Sequence, residues 1–241
     1  MIFGLISSLF VLSSILYFLL PQLNRFNFQA PAVNATAMGL SSMNIFLIFF
    51  SIFLCFAILT RQFNRASLVF ILSKPLRASQ LLLGSSLGLM FVLFLYWLFI
   101  SLEVLVIISV FDKSYLLRAL TAVLPAAFLI PLYASLCVFF FSIWPSFFSA
   151  AFVFIFIFTS FARVDIIMLV SHANLPWLEK LIETSFFFIP PVSQIMAISL
   201  EAIGLINVRI DIPGVFLRSI FIICILHILA ARRISRDSLD L

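Results

Sequence analysis

The chain has 241 residues, of which 65% are hydrophobic and 10% charged, and its mean hydropathy is +1.30. Soluble domains carry about 25% charged residues, so this composition cannot cover a water-facing surface. Disorder is excluded as well, because disordered chains are polar and charged. The net charge of +5 sits mainly at the ends of apolar runs, which is the membrane pattern. Membrane lipid is therefore the expected surroundings, and no nucleic-acid partner is expected.

A crossing helix needs about 20 mostly apolar residues. Read along the chain, the sequence predicts an all-α membrane protein with six transmembrane helices in a single domain over 1–241, with no room for a separate soluble domain. The predicted spans are about 2–20, ending at Pro21, then 41–60, 75–110, 116–143, 146–161 and 213–231. The first run has no basic residue before it, and Ala35-Thr36-Ala37 lies far beyond it. It is therefore expected to stay as a span and not to be cleaved as a signal peptide. The third span is longer than a bilayer requires. Pro125 and Pro131 are expected to kink the fourth, and Trp144-Pro145 to turn the chain after it.

Between about Ala162 and Ile212 the sequence stays apolar without a full span: Phe186-Phe187-Phe188-Ile189-Pro190-Pro191, then Ile195-Met196-Ala197-Ile198. Re-entrant or interfacial helices before span six are expected, since non-crossing backbone at that depth must be buried in protein. Arg61, Arg65, Lys74 and Arg77 cluster after the second span, and Arg232, Arg233 and Arg236 follow the sixth. With an even number of spans, the positive-inside bias places the N- and C-termini in the cytoplasm of a multi-pass cytoplasmic (inner) membrane protein.

Several residues invite closer reading. Cys55, Cys137 and Cys224 each lie within an apolar run at spacings that suit neither zinc nor a disulfide framework, and are expected to be packing residues. His172 has no second ligand nearby, and His227 is expected to be a hydrogen-bonded packing residue, so no metal is expected. Gly84 and Gly88 form a small-x-x-x-small pair, expected to pack within the chain rather than to make a dimer seam. Asn34-Ala35-Thr36 matches a glycosylation sequon in a predicted outer loop. The 32 phenylalanines read mainly as lipid-facing filler.

The most informative stretch runs from Arg61-Gln62-Phe63-Asn64-Arg65-Ala66-Ser67-Leu68 through Phe70-Ile71-Leu72-Ser73-Lys74-Pro75-Leu76-Arg77 to Leu82-Leu83-Gly84. Arg61 to Leu72 reads as a short amphipathic helix, with Ser73 as a cap and Pro75 in the first turn of the next helix. The stretch resembles the cytoplasmic signature of ATP-binding-cassette (ABC) type-2 permeases. Arg61, Leu68, Leu72, Ser73, Lys74, Pro75, Arg77, Leu82 and Gly84 match that family's pattern in order. The departures are Gln62 and Asn64 for the family's two acids, Ala66-Ser67 for Gly-Thr, and Ser85 for a lysine.

The resemblance implies that Arg61 to Leu72 is a cytoplasmic coupling helix between spans two and three, docking in a cleft of a separate ATPase. Arg61, Gln62, Phe63, Asn64, Arg65, Ser67, Leu68, Phe70, Ile71 and Lys74 are its expected contact residues. It also implies two copies of an ABC ATPase subunit, with ATP and Mg bound there. A second permease half is implied too, either a copy of this chain or a similar one. This chain lacks a Gly-x-x-x-x-Gly-Lys-(Ser/Thr) loop, so no cofactor is expected in it and it is not expected to be an enzyme. Glu103 lies within the third span, with Tyr96, Ile100 and Ile107 on its face. An intramembrane acid is costly and marks a candidate functional site. Glu103, Tyr96 and Pro131 are the candidates for a translocation path, set against the plainer reading of Glu103 as a carboxyl near the outer interface. The competing functions are a non-transporting scaffold with a permease-like fold, for which the lost acids at positions 62 and 64 speak, and an intramembrane enzyme, for which no catalytic motif is found.

Overall fold

The computed structural model describes residues 31–62, 78–111, 113–144, 147–163, 176–207 and 210–239. These are all-helical, with no strand among the described residues. The helices are α1 (Pro31–Gln62), α2 (Ala78–Phe111), α3 (Leu116–Ala126), α4 (Leu129–Ile143), α5 (Phe147–Phe161), α6 (Pro176–Phe187), α7 (Val192–Ala202) and α8 (Ile212–Leu239), with one 3-10 turn at Lys113–Tyr115 before α3. Four stretches are long and apolar enough to cross a membrane: Gly39–Thr60, Gln80–Val106, Lys113–Ile143 and Ile212–Ile234. They correspond to the predicted spans two, three, four and six. The predicted first span lies outside the described residues. The predicted fifth is α5, whose 15 residues reach only about 22 Å at 1.5 Å per residue, short of a hydrocarbon core about 30 Å thick.

The helices form because almost nothing in them opposes helix formation or apolar burial. No charged residue occurs from Pro31 to Thr60, and Glu103 is the one charge in α2. Two elements differ from the sequence reading. α1 is described from Pro31, ten residues before the predicted start, in a run rich in alanine and small residues. The sequon is consequently not in a loop: Asn34 lies in α1 and Thr36 is fully buried. α8 continues past the predicted end through Arg232, Arg233 and Arg236 to Leu239. At its start Asp211 caps it, its Oδ1 accepting from the Gly214 N–H at 3.2 Å, the usual N-cap geometry.

α4 is the hub. Twelve of its 15 residues are buried, and α8, α1, α2 and α5 all pack against it. The interruption between α3 and α4 follows from the two prolines. Pro131 has no N–H to offer the Ala127 carbonyl, which accepts instead from Ile130 at 3.2 Å. The Ala127 and Phe128 N–H groups likewise bond three residues back, to Leu124 and Pro125. This is a local 3-10 tightening. The predicted kink is thus a two-residue break, with Pro131 in the first turn of α4, where a missing N–H costs little. α4 ends at Trp144 in extended conformation, as the residue before a proline prefers.

The packed faces pair polar groups where they are buried. Tyr133 is fully buried and donates to Asn44 Oδ1 on α1 at 2.7 Å. Ser51, Ser142 and Ser219 return their hydroxyls to carbonyls of their own helices, the usual resolution in apolar surroundings. Tyr133→Phe should cost about 1–2 kcal/mol in unfolding free energy, since it strands the Asn44 oxygen. Thermal unfolding of the detergent-solubilised chain measures it, and Tyr133→Phe combined with Asn44→Leu should recover part of the loss.

Large apolar side chains that face outward tell the same story from the other side. On α2, Leu83, Leu87, Phe91, Phe99, Leu102 and Val106 are all exposed. In water a continuous apolar stripe of this size would be a docking or aggregation surface; along a helix long enough to span, it is the face that lipid tails cover. Gly84 and Gly88 lie on this exposed side, and a Cβ placed on either meets no atom within 4 Å. The expectation that they pack within the chain is therefore corrected: they face away from the bundle, where their small size is not needed for any close approach among the described residues.

Candidate functional site

Helix order and contacts define two ends of the bundle. α1 and α2 pack against each other, and His227 of α8 meets Ser86 near the start of α2. The ends of α1, α4 and α8 therefore gather with the starts of α2 and α5. The opposite end carries Lys113–Tyr115, the end of α5, α6, α7 and the start of α8.

At the first end, the expected coupling residues lie mostly outside the described residues: Phe63, Asn64, Arg65, Ser67, Leu68, Phe70, Ile71 and Lys74 are not described. Arg61 and Gln62 are the last two residues of α1, which continues through them. α2 is described from Ala78. Around this end Arg232 and Arg233 are exposed on α8. The nearby His227 bridges helices. Its Nδ1 is 2.9 Å from the Ile223 carbonyl and its Nε2 is 2.9 Å from Ser86 Oγ. A carbonyl only accepts, so Nδ1 carries the proton, and in the neutral ring Nε2 accepts from the serine hydroxyl. This is the expected packing role. Of the cysteines, Cys55 and Cys137 are buried, whereas Cys224 is exposed; all three are free thiols.

The path candidates separate. Tyr96 and Ile100 are buried, with the Tyr96 ring 4.6 Å from that of Phe50. Glu103 is half-buried and lies three residues before the end of the apolar stretch Gln80–Val106. It therefore sits near the second end of the bundle. Pro131 belongs to the α3–α4 break.

The second end holds the most developed polar constellation among the described residues, and little of it was legible in the sequence. α7 is buried against α3 and α5, with Val192, Ile195, Met196, Ile198 and Ser199 inside. α6 is mainly exposed, including Trp177, Leu181 and Phe187. The two helices expected before span six thus differ: α7 is enclosed by protein, and α6 lies on the surface. Ser160 of α5 ties the turn between them. Its hydroxyl donates to the Pro190 carbonyl at 2.6 Å and accepts from the Val192 N–H at 3.1 Å. Gly204, at φ +75°, ends α7: its N–H bonds to Glu201 O and that of Leu205 to Leu200 O, the paired capping that a left-handed glycine allows. Tyr115 donates to the Ile203 carbonyl there at 2.8 Å.

Arg218, one turn and a half into α8, holds the α6–α7 corner. Its Nε donates to the Phe187 carbonyl at 2.9 Å, and Nη2 donates to the carbonyls of Ile189, at 2.7 Å, and Phe186. Nη1 reaches Gln194 Oε1 at 3.4 Å. A guanidinium suits this task because its fixed fork can serve several carbonyls at a helix C-terminus, where the dipole also favours a cation. Its Cζ lies 5.5 Å from the Phe187 ring centroid, and that of Arg163 lies 5.8 Å from Phe186. The only sequence signal for Arg218 was a lone arginine within an apolar run, and residue spacing could not show which carbonyls it meets.

The described residues are all-helical, with four apolar stretches long enough to span a membrane among them. No family model matches the chain, and neither the curated proteins nor the solved structures contain a match.

Proposed function

We propose that this chain is the membrane-spanning permease subunit of an ABC transporter, an exporter of the type-2 class, driven by ATP hydrolysis in a separate ATPase. The observation that carries this reading is the ordered set Arg61, Leu68, Leu72, Ser73, Lys74, Pro75, Arg77, Leu82 and Gly84, which runs from the end of α1 into the start of α2, two apolar helices that pack side by side. A segment joining the near ends of two packed helices can pass a push at one end into both, because packed helices shift as rigid bodies. The buried α7 before the last span supports the reading by resemblance to the family layout. By sequence, Arg61, Arg65, Lys74 and Arg77 after the second predicted span and Arg232, Arg233 and Arg236 after the sixth favour a cytoplasmic face there, and the more scattered Arg25, Lys113, Arg118, Arg163, Lys180 and Arg209, partly offset by acids, make the bias moderate.

In this reading the chain supplies half of the membrane path and works with a second permease half and two ATPase subunits. Glu103 and Tyr96 line α2 toward the second end and belong to the exit half of the path. The test is purification of the chain from its native membrane in mild detergent. An ABC ATPase should co-purify, and its hydrolysis should depend on this chain. Recovery of the intact chain with no ATPase bound and no nucleotide hydrolysis in the native membrane fraction rejects the proposal.

A further inference from the structure

Arg163 and Arg218 stand on successive rings, Phe186 and Phe187, at the α6–α7 corner. Their situations differ. Arg218 is served by four acceptors, while Nη1 of Arg163 is buried and has no hydrogen-bond partner among the described residues. Neither arginine forms an ion pair with a described carboxylate. A buried donor on a cation is costly to leave unmade, more so beside a second cation. The aromatic face of Phe186 supplies only a modest part of the compensation.

The surroundings indicate what completes the pair. The adjacent surface of α6 and the residue after it exposes Trp177, Leu181 and Phe188, an apolar and aromatic face of the kind that sits at the headgroup level of a bilayer. Arg218 lies only six residues into the apolar stretch that begins at Ile212. The corner is therefore at the edge of the membrane-spanning zone, where phosphate oxygens are the abundant anions. Arginine is also the side chain best matched to phosphate, through paired N–H groups.

We propose that the Arg163 guanidinium, with Arg218 beside it, binds the phosphate group of an anionic membrane lipid at this corner. Arg163 is the primary ligand, because Arg218 is already engaged with the chain's own carbonyls. The proposal rests on the arginine pair and the membrane-spanning helices, and it holds whether or not the chain couples to an ATPase.

The test uses the full-length chain in nanodiscs of equal parts phosphatidylcholine and phosphatidylglycerol, with retained lipid identified by native mass spectrometry. The wild type should retain phosphatidylglycerol over phosphatidylcholine by about fivefold or more, the scale of a charge-assisted hydrogen-bond pair. Arg163→Gln should retain the two equally. Arg163→Lys keeps the charge but loses the planar fork, so its preference should fall at least about twofold; it carries the test if the glutamine variant does not fold. Inorganic phosphate added to protein in phosphatidylcholine alone separates the sources. If it stabilises the wild type but not Arg163→Gln while phosphatidylglycerol is not enriched, the occupant is a free ion and the lipid assignment is overturned. A preference unchanged in both variants, or a wild type with no preference and no response to phosphate, overturns the site itself and assigns Arg163 to an internal ion pair.

Discussion

Replacing Arg218 with methionine should lower the unfolding free energy by about 2–3 kcal/mol and loosen the turn between α6 and α7. Methionine keeps an unbranched apolar stem of similar girth, so the change removes the guanidinium while preserving most of the stem's packing. Its removal leaves the carbonyls of Phe186, Phe187 and Ile189 without their donor, and hydrogen bonds from a charged group contribute about 1.5–3 kcal/mol each before relaxation. The sum is discounted because Arg218 is only half-buried and part of the loss returns through rehydration. Arg218→Lys should recover a minority of the effect, since one ammonium cannot serve three carbonyls in the guanidinium's plane. Thermal unfolding in detergent reads the stability. Hydrogen exchange reads the turn, with faster exchange expected at Phe188 and Val192 and little change in α4. A stability within about 0.5 kcal/mol of wild type, the range of neutral surface changes, together with unaltered exchange, would show that Arg218 does not hold the corner.

The second large effect concerns the segment between α1 and α2. If it seats in an ATPase cleft, Phe63→Asp or Phe70→Asp should reduce chain-dependent ATP hydrolysis at least about tenfold, because an aromatic anchor buried at an interface typically contributes 2 kcal/mol or more and a carboxylate in its place is buried unpaired. Phe63→Leu and Phe70→Leu should retain most of the activity, which separates lost apolar contact from misfolding. The measurement is ATPase rate and co-purification of the reconstituted complex across the four variants. Normal hydrolysis and transport in both aspartate variants would remove these residues from any coupling role. Gln62 and Asn64 enter the same experiment. With no charge at these positions, any contact with an ATPase there would be a neutral hydrogen bond, so Gln62→Ala and Asn64→Ala should show a weaker salt dependence than loss of Arg61 or Arg65.

Much of the architecture was legible because lipid imposes a simple rule on composition. A backbone that cannot find water must satisfy itself, and an uncharged run of about 20 residues has little choice but a helix. The four stretches able to span follow from that alone, and the prolines placed the end of α4 at Trp144 and the break between α3 and α4. The errors arose where hydropathy is silent. Residues 31–40 are only mildly apolar, so the start of α1 depended on helix propensity and on Thr36 being enclosed by neighbours. Gly84 and Gly88 looked like packing residues because spacing shows which residues share a face, not which way that face points.

The sequence by itself determined that the described residues are helical and where the four stretches able to cross a membrane lie, since each of these depends on runs of neighbours along the chain. The proposed likeness to ABC type-2 permeases is read from one contiguous stretch, Arg61 to Gly84. Tertiary structure decided which helix is central, that α7 is enclosed while α6 is exposed, and that Arg218 of α8 joins Phe186, Phe187 and Ile189 across about thirty residues of chain. In an all-apolar sequence every helix has similar faces, so pattern cannot rank them. The choice falls to the few polar groups — Tyr133 with Asn44, Ser160 with Pro190, Arg218 with the α6 carbonyls — that must find partners wherever the packing removes them from water.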